Sequence, residues 1–428
     1  MTPSRPLSQL DAFFVAYQAR QGVAMQLAAE VELRGPVARR DLTRAIENVL
    51  RRWPQLGQRL RAGALGVAWS GPSRPLGMLQ TGEVSQLHGW INHLIDPFRE
   101  PPLQVFWVPG EPNTIAFHAH HAVADGESFF MVCQQLLEDL ADAARGALTP
   151  AEPAPAPDLF ALREVWAAGS IGPMLRYAAW LVRESHADRC ARLAARSLGP
   201  GETRVCARVL KGEALAALNE RSEGLATSTA MRCSAAWARV VGRWNAQRDV
   251  PPAPISIELP FSARRARTRP LGNYVSPLVL LADPSQTLEE IASGFRAQLI
   301  RGIKDKAHLG MPLLTAPGRY LPWGLFRRTA ATSTWSGFAT THFTWLEDRH
   351  DLRGAVRARS FGALEVEQVR IHTPVCLRMG AGLCALSFDD SLGLFLAYRE
   401  VALAREEAEQ LADMLLDELS TPATRIKG

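Results

Sequence analysis

The sequence predicts a mixed α/β protein made of two halves, and three patterns support this prediction. Apolar residues alternate with small or polar ones from Met25 to Leu33 and stop at a Gly-Pro pair, which is typical of a strand ended by a turn. From Leu42 to Trp53, apolar residues recur three and four positions apart, as on the buried face of a helix. The stretch LTPAEPAPAPD, Leu148–Asp158, resists helix and strand alike and behaves as a semi-rigid spacer.

The same mixture of strands and helices continues on both sides of this spacer. We place the first domain at residues 1–150, a linker at 151–158 and the second domain at 159–428. Further strands are predicted at Leu103–Val108, Thr114–His121, Val205–Leu210, Ile255–Leu259, Tyr274–Leu281, Leu364–Arg370 and Leu383–Phe388, and helices at Phe129–Leu140, Thr229–Trp244, Leu288–Ile303 and Ala404–Leu419. No short repeat is visible, so we do not expect a helical array or a propeller.

Composition limits the class of protein. The chain has 428 residues, of which 47% are hydrophobic, so each half is large enough to bury a core. Its six cysteines contain no Cys-x-x-Cys pair, and we expect buried free thiols in a reducing cytoplasm rather than a disulfide framework or zinc site. The first residues lack a signal-peptide pattern and no uncharged apolar stretch has membrane-spanning length, so we expect a cytoplasmic protein.

The charge of the chain gives a weaker indication of its partners. A net charge of +5 and a pI near 9.0 favour an anionic partner such as a nucleotide-bearing coenzyme, an acidic carrier protein or a lipid surface. The segment SARRARTR, Ser262–Arg269, contains four arginines in eight residues. No zinc finger, aromatic RNA-binding signature or long basic tail accompanies it, so we do not expect a nucleic-acid partner.

Three of the ten histidines crowd into the segment FHAHHAVADG. In a strand from Thr114 to His121 alternate residues share a face, which places His121 with apolar residues and puts His118 and His120 on the other face. A neutral imidazole accepts a proton from a hydroxyl or amine at neutral pH and returns it to a leaving group. We therefore predict that His121 is a general base.

Asp125 and Gly126 close this segment, and other interpretations of it stay open. We expect Asp125 to be structural, pairing with a backbone amide or an arginine, and Gly126 to allow a bend where a side chain does not fit. Alternatively, His118 and His120 chelate a metal with Asp125 as third ligand, although no His-Glu-x-x-His spacing supports this, and we expect no metal site. The pattern also fits a purely structural interpretation, in which the histidines are hydrogen-bonded inside the core and Asp125-Gly126 is an ordinary turn.

The run HHAVADG, His120 to Gly126, resembles the HHxxxDG signature of the chloramphenicol-acetyltransferase-like superfamily. This superfamily includes the condensation domains of peptide synthetases, plant alcohol acyltransferases and wax ester synthases. Flanking segments resemble it in the same order: LSQLDAFF from Leu7, RRWPQLGQRL from Arg51, IDPFREPPLQV from Ile95, PLGNYVSPL from Pro270 and LCALSFDDSLG from Leu383. The plant-type Asp-Phe-Gly-Trp-Gly motif is absent, and no carrier or adenylation domain accompanies these segments, so we expect a free-standing enzyme outside the plant branch.

This resemblance implies two similar chloramphenicol-acetyltransferase-like α/β lobes, with a tunnel and the active site between them. His121 is the second motif histidine, which implies a base at the centre of the tunnel, with His120 as support. The resemblance also implies that Asp125 pairs with an arginine upstream of the Gly-Asn segment, for which Arg264 is our choice and Arg265 the alternative.

Three further residues are expected along the tunnel. By resemblance, Asn273 holds the segment that faces the tunnel, although Gly272-Asn273 on residue chemistry alone is a turn signal. The stretch from Thr332 to Asp348 falls where superfamily members run a strand along the tunnel. Thr341 or His342 would then line the tunnel or polarise the thioester oxygen, and a packed or solvated strand is the alternative.

The implied activity is transfer of an acyl group from an acyl-coenzyme A or a carrier protein to a hydroxyl or amine acceptor, in natural-product or lipid biosynthesis. A thioester is already activated, so the reaction needs positioning and a base but no cofactor. One alternative is a wax ester or diacylglycerol acyltransferase in peripheral contact with a membrane, to which Pro173–Arg183 and Met311–Arg328 would contribute apolar residues and arginines. The other is a catalytically silent domain that recruits partners.

Overall fold

The computed structural model of the chain describes residues 5–63, 66–73, 75, 77–154, 171–184, 189–224, 228–264, 270–309, 318, 321–330, 339–346, 360–388 and 390–420. Strands and helices are mixed throughout these residues, so the predicted α/β class is confirmed.

The strands and helices are numbered here in chain order. The strands are β1 Arg5–Pro6, β2 Gln26–Arg34, β3 Arg59–Ala62, β4 Val67–Ser70, β5 Leu79–Thr81, β6 Leu103–Val108, β7 Asn113–His120, β8 Thr203–Lys211, β9 Ile255–Ser262, β10 Val275–Ala282, β11 Thr341–Leu346, β12 Ser360–Phe361, β13 Leu364–His372, β14 Ala381–Phe388 and β15 Ser391–Arg399. The helices are α1 Gln9–Gln21, α2 Arg39–Arg52, α3 Val84–Asn92, α4 Gly126–Ala144, α5 Ile171–Glu184, α6 Gly212–Gly224, α7 Thr229–Ala246, α8 Leu288–Lys304, α9 Trp323–Ala330 and α10 Arg405–Ser420.

Two six-stranded sheets organise the two lobes. The first has the strand order β12-β13-β2-β7-β6-β5 and the second the order β10-β9-β11-β14-β15-β8. Neighbouring strands are antiparallel except β5 beside β6, and β11 beside both β9 and β14. One apolar core includes the first sheet and helices α1, α2 and α4, and the other includes the second sheet and helices α7, α8 and α10. The small sheet β1-β4-β3 contributes to the first core.

Strands β12 and β13 come late in the chain but belong to the first sheet. β13 pairs antiparallel with β2, from Glu365 opposite Arg34 to His372 opposite Ala28. The domain boundary predicted at residue 150 therefore does not describe sheet membership, because a strand from the second half completes the first sheet. A hydrophobic period identifies a strand but carries no information about its partner.

Most predicted elements are present with small shifts at their ends. The strand predicted at Thr114–His121 ends at His120, so His121 begins the following turn. The helix predicted at Leu288–Ile303 is α8, but Ile303 is exposed at its end. Among the described elements, those not predicted are helices α1, α3, α5, α6 and α9 and strands β1, β3, β4, β5, β12 and β15. In α1, nearly every residue from Gln9 to Gln18 is buried, so no amphipathic stripe marks the helix.

The predicted linker runs beside α2. The N–H of Ala151 donates to Oδ1 of Asn48 at 2.7 Å, and the N–H of Ala154 donates to the carbonyl of Arg52 at 2.8 Å. Residues 151–154 form neither helix nor strand, and residues 155–158 lie outside the described residues.

Two other predictions concern the segments proposed to contact a membrane and the state of the cysteines. Helix α5 covers the predicted apolar and basic segment and exposes Leu175 and Val182, whereas Met311–Arg328 lies largely outside the described residues. Among the described helices, none has the length and apolar character needed to cross a lipid bilayer. All six cysteines are buried free thiols, as predicted.

A glycine at the end of β2 accommodates the late strand pair. Gly35 has φ of +114°, and a Cβ at this position would lie 2.4 Å from the carbonyl oxygen of Ala363 in the β12–β13 turn. We expect Gly35→Ala to reduce the free energy of unfolding by about 1–3 kcal/mol, because it combines backbone strain with a clash. Chemical denaturation followed by circular dichroism measures this loss.

Gly89→Ala in α3 is the matched control. A Cβ at Gly89 meets no atom within 4 Å, so an alanine there is expected to stabilise the helix by about 0.5–1 kcal/mol. Equal stability of wild type and Gly35→Ala would contradict the proposed packing of the β12–β13 turn.

Candidate active site

His121 lies in the turn between β7 and α4 and lines a cavity between the two lobes. Its backbone N–H donates to the carbonyl of Met25 at 2.8 Å, which extends the pairing of β7 with the residue before β2. Its ring stacks on Phe14 of α1, with ring centroids 4.0 Å apart and 21° between the ring planes. The imidazole is therefore held by main-chain pairing and by an aromatic face.

A second-lobe residue defines which nitrogen of this ring carries the proton. Nδ1 of His121 lies 2.9 Å from Oδ1 of Asn273. The amide nitrogen of Asn273 donates to Oδ1 of Asp11 at 2.8 Å and to the carbonyl of His121 at 2.5 Å. Both of these partners are acceptors, so the amide oxygen must face the ring, and an amide oxygen only accepts. The hydrogen-bond network thus assigns the proton to Nδ1 and a lone pair to Nε2.

The environment of His121 favours its neutral form. Burial lowers its pKa from the ordinary value of 6.5, while a hydrogen bond to its own backbone, the charge of Asp125 and the hydrogen bond that the ring donates to Asn273 act in the opposite direction. Among the described residues, Asn273 is the one whose side chain forms a hydrogen bond with the His121 ring. A neutral ring with an unengaged Nε2 is able to accept a proton at pH 7.

The other two histidines of the cluster are buried in the first lobe. Nε2 of His118 lies 2.5 Å from Oε1 of Gln26, and Nδ1 of His120 accepts from the N–H of Ala122 at 3.0 Å. Burial, with smaller effects from neighbouring histidines, lowers the pKa of each to about 3. Both are therefore neutral structural side chains at physiological pH.

Asp125 caps α4 and is bound by both lobes. Its Oδ1 accepts from the N–H of Ser128 at 2.9 Å, and its Oδ2 accepts from the N–H of Tyr274 at 2.8 Å. Arg264 donates through Nη1 to Oδ2 at 2.7 Å and through Nη2 to Oδ1 at 2.9 Å. The side chains are 0% and 5% exposed, so this bidentate pair is almost completely removed from water.

Arg264 also fixes the loop that carries Asn273. Its Nη2 donates to the carbonyl of Gly272 at 2.8 Å, and its guanidinium carbon lies 4.8 Å from the centre of the Tyr274 ring. Gly272 has φ of +147°, and a Cβ there would press against the Tyr274 ring at 3.2 Å. The Gly-Asn segment thus turns sharply and presents Asn273 to His121.

The structure corrects the expected role of Gly126. It is the first residue of α4 and lines the cavity, and it is not among the glycines with positive φ. A Cβ at Gly126 would meet Leu346 at 3.8 Å, an ordinary contact distance. No backbone bend requires a glycine here, and the missing side chain leaves room at the cavity wall.

The cavity has a volume of about 190 Å³ and is mainly apolar. From the first lobe it is lined by Leu10, Phe14, Met25, Leu27, Phe129 and Phe130 beside His121 and Glu127. From the second sheet it is lined by Glu258, Pro260 and Ser262 of β9, which are alternate residues, and by His342, Thr344, Trp345 and Leu346 of β11. Such a lining suits an apolar substrate that carries few polar groups.

The strand alternation separates the two candidate tunnel residues of β11. His342 faces the cavity, whereas Thr341 points the other way, where its hydroxyl accepts from Nε1 of Trp237 at 3.0 Å and donates to the carbonyl of Ala381 at 2.9 Å. The expectation that Thr341 lines the tunnel is therefore wrong. The ring of His342 lies over Gly382 on the neighbouring strand β14. A Cβ at Gly382 would be 2.0 Å from this ring, so only a glycine leaves room for it.

His118, His120 and Asp125 do not converge on one point. Within the described residues, the group of side chains with ligand atoms close enough to hold a metal ion is His88, Glu202 and Glu400, away from the cavity. The alternative of a metal site in the HHAVADG segment therefore finds no support in the arrangement of these side chains.

Two residues of the site were missed in the sequence analysis, Asp11 and Phe14. Both belong to LSQLDAFF, where their three-residue spacing in a helix places them on one face. Asp11 contacts Asn273, and Phe14 stacks on His121. The spacing was visible in the sequence, but without a predicted helix it carried no information.

Loss of Arg264 is expected to be far more damaging than loss of a surface arginine. In Arg264→Ala, the carboxylate of Asp125 stays buried without its charged partner, which costs about 3–5 kcal/mol of unfolding free energy. Arg264→Lys is expected to restore only part of this loss because a lysine cannot form the two-pronged contact. Urea denaturation measures both variants.

Arg34→Ala is the control, because Arg34 pairs with Glu365 and Glu367 at an exposed position, where such pairs contribute about 0–1 kcal/mol. A loss in Arg264→Ala no greater than that in Arg34→Ala would contradict a buried pair.

Buried neutral histidines make the fold sensitive to acid. His118 has a pKa of about 3 when folded and an ordinary value of 6.5 when unfolded, so below pH 6.5 the unfolded chain takes up a proton that the folded chain refuses. Stability therefore falls as pH drops from 6.5 towards 3. His118→Gln removes this term and should lose about 2 kcal/mol less than wild type between pH 6.5 and 5.

Denaturation midpoints at the two pH values test this expectation. His88→Gln, at a partly exposed position beside Glu202, is the control and should follow wild type. The same acid sensitivity in His118→Gln and wild type would show that His118 is not held neutral.

The fold has counterparts among solved structures, although no family model and no curated protein matches the sequence. The first condensation domain of the calcium-dependent antibiotic (CDA) synthetase is similar to it at a TM-score of 0.74 and 15% identity, covering 99% of this chain and 97% of that chain. Polyketide synthase associated protein 5 from Mycobacterium tuberculosis is similar at 0.67 and 17%, covering 98% and 99%. A mutant starter condensation domain of rhizomide synthetase, in complex with C8-CoA, is similar at 0.70 and 13%, covering 99% and 95%.

These likenesses extend over nearly the whole chain. The protein has the two-lobed chloramphenicol-acetyltransferase-like fold of condensation domains, as the sequence resemblance implied. Identities of this size show the fold alone.

Proposed function

We propose that this protein transfers an acyl group from a thioester to a hydroxyl or amine acceptor, with His121 as the general base. The observation that carries the proposal is the neutral imidazole of His121, whose Nδ1 is engaged by Asn273 and whose Nε2 is left to act at a cavity between the lobes. The likeness in fold to condensation domains supports the same class of reaction.

The proposed reaction has two steps at one nitrogen. Nε2 of His121 accepts the proton of the acceptor O–H or N–H as the oxygen or nitrogen attacks the thioester carbonyl, which forms a tetrahedral intermediate. The intermediate then collapses, the carbon–sulfur bond breaks, and the leaving thiolate takes the proton back from the imidazolium. Protons and electron pairs balance in these two steps, so the reaction needs no oxidant or reductant.

The apolar lining favours an acyl chain or apolar acceptor in the cavity. The rhizomide synthetase domain was solved with C8-CoA, which supports a coenzyme A thioester as donor, and a carrier-protein thioester is an equivalent donor in this proposal. His342 lies in the same cavity, and burial lowers its pKa to about 4. It is therefore a neutral group for hydrogen bonding to a polar atom of the substrate.

A second candidate is acyl transfer to lipids at a membrane surface. Helix α5 exposes Leu175 and Val182 at 57% and 58%, beside the exposed Arg176 and Arg183, which is a pattern suited to an anionic lipid surface. Preference for long acyl chains, together with binding to anionic vesicles, would favour this candidate over natural-product biosynthesis.

The test is a transfer assay with wild type and His121→Ala. Acetyl-, octanoyl- and palmitoyl-coenzyme A and octanoyl carrier protein are offered as donors, with 1-octanol and octylamine as acceptors, and thiol release and product mass are followed. We expect acceptor-dependent transfer by wild type and a loss of roughly 10²- to 10⁴-fold in the variant, because the base is removed.

His93→Ala is the matched control, since His93 is a half-exposed histidine that pairs with Glu100 outside the cavity. It should retain full activity. Transfer that survives unchanged in His121→Ala would refute the proposed mechanism. Inactivity of wild type with every donor would instead favour a catalytically silent domain that recruits partners.

A further inference from the structure

The N-terminal turn of α1 contacts the candidate base through one intermediate residue. Oδ1 of Asp11 accepts from the amide of Asn273 at 2.8 Å, and Oδ1 of Asn273 lies 2.9 Å from Nδ1 of His121. We infer that Asp11 is a positioning residue, which sets the amide orientation of Asn273 and thereby keeps the lone pair of His121 on Nε2. This inference rests on the proposed function.

The orientation of an amide depends on what surrounds it. If Asn273 rotated by half a turn, its oxygen would face the carboxylate of Asp11 and the carbonyl of His121, two acceptors that it cannot bind. Its NH₂ group would then face Nδ1 and place the ring proton on Nε2, where the base needs a lone pair. The carboxylate of Asp11 is thus one of two groups that exclude the inactive tautomer.

Asp11 itself is held in place by the helix that carries it. Ser8 and Asp11 form a reciprocal capping box, in which the N–H of Ser8 donates to Oδ2 of Asp11 and the N–H of Asp11 donates to Oγ of Ser8, both at 3.1 Å. One carboxylate oxygen therefore belongs to the helix cap and the other to Asn273. Phe14, one turn further on, stacks on the same imidazole, so α1 controls both the tilt and the tautomer of His121.

The capping box supplies a matched control. Ser8→Ala removes the hydroxyl of the cap but leaves the contact between Asp11 and Asn273. Asp11→Ala removes both, whereas Asp11→Asn removes the charge and one of the two acceptor oxygens. Its remaining oxygen accepts from the buried amide of Asn273, and the N–H of Ser8 loses its partner. Effects of helix capping and of base positioning are therefore separable in three variants.

The test combines tautomer and kinetics. Proteins labelled with ¹⁵N-histidine are compared by NMR at pH 7.5 without substrate, with the His121 signals assigned from the spectrum of His121→Ala. We expect the Nδ1–H tautomer in wild type, Ser8→Ala and Asp11→Asn, and a mixture with Nε2–H in Asp11→Ala. With octanoyl-coenzyme A, we expect kcat of Asp11→Ala to fall about 10- to 100-fold at nearly constant KM, less than the loss on removing the whole base.

The outcomes separate this inference from the proposed function. An Nε2–H tautomer in wild type, an unchanged tautomer in Asp11→Ala, or an equal loss of kcat in Ser8→Ala would each overturn the positioning role. The expected tautomers in a protein that transfers no acyl group would refute the proposed function alone, because the tautomer is read without substrate.

Discussion

The ion pair of Asp125 and Arg264 joins the two lobes where the candidate site is built. Removing two charges from water costs several kcal/mol for each ion, and such a pair persists only when its remaining hydrogen-bonding capacity is used. Here the carboxylate accepts from the guanidinium and from the N–H groups of Ser128 and Tyr274, while the guanidinium also donates to the carbonyl of Gly272. The two loops that meet at His121 are thereby held at a fixed spacing.

That spacing decides the chemistry of the imidazole. His121 follows β7 of the first lobe, and Asn273 precedes β10 of the second, so the hydrogen bond between them exists only while the lobes are aligned. A neutral imidazole can carry its proton on either ring nitrogen. The amide from the second lobe selects one of them, and burial keeps the ring neutral. Proton acceptance at Nε2 is thus a property of the interface between the lobes rather than of the histidine motif.

The elements that were predicted well share a clear hydrophobic period. Helix α2 buries one face, and strand β2 is buried on both faces in its first half and alternates in its second half. The three- to four-residue or two-residue spacing in the sequence marked both elements within a residue or a few of their observed ends. Helix α1 is buried nearly all around and has no such period, and so its Asp11 and Phe14 were not recognised as neighbours of the base. In β11, His342 faces the cavity and Thr341 does not, because neighbouring residues of a strand point to opposite sides. The sequence of a strand does not show which of its two sides faces the cavity.

By itself, the sequence determined the mixed α/β class, the positions of about half of the described strands and helices, and the motif that resembles the superfamily and contains His121 and Asp125. Those features are local, because backbone geometry repeats every two or three to four residues and a motif is contiguous. Only the tertiary structure decided that β13 completes the first sheet, and that Asp11, Asn273 and His121 form one network. The residues of this network are separated by 262 and 152 positions, and contacts at such separation depend on how both cores pack, which no local period records.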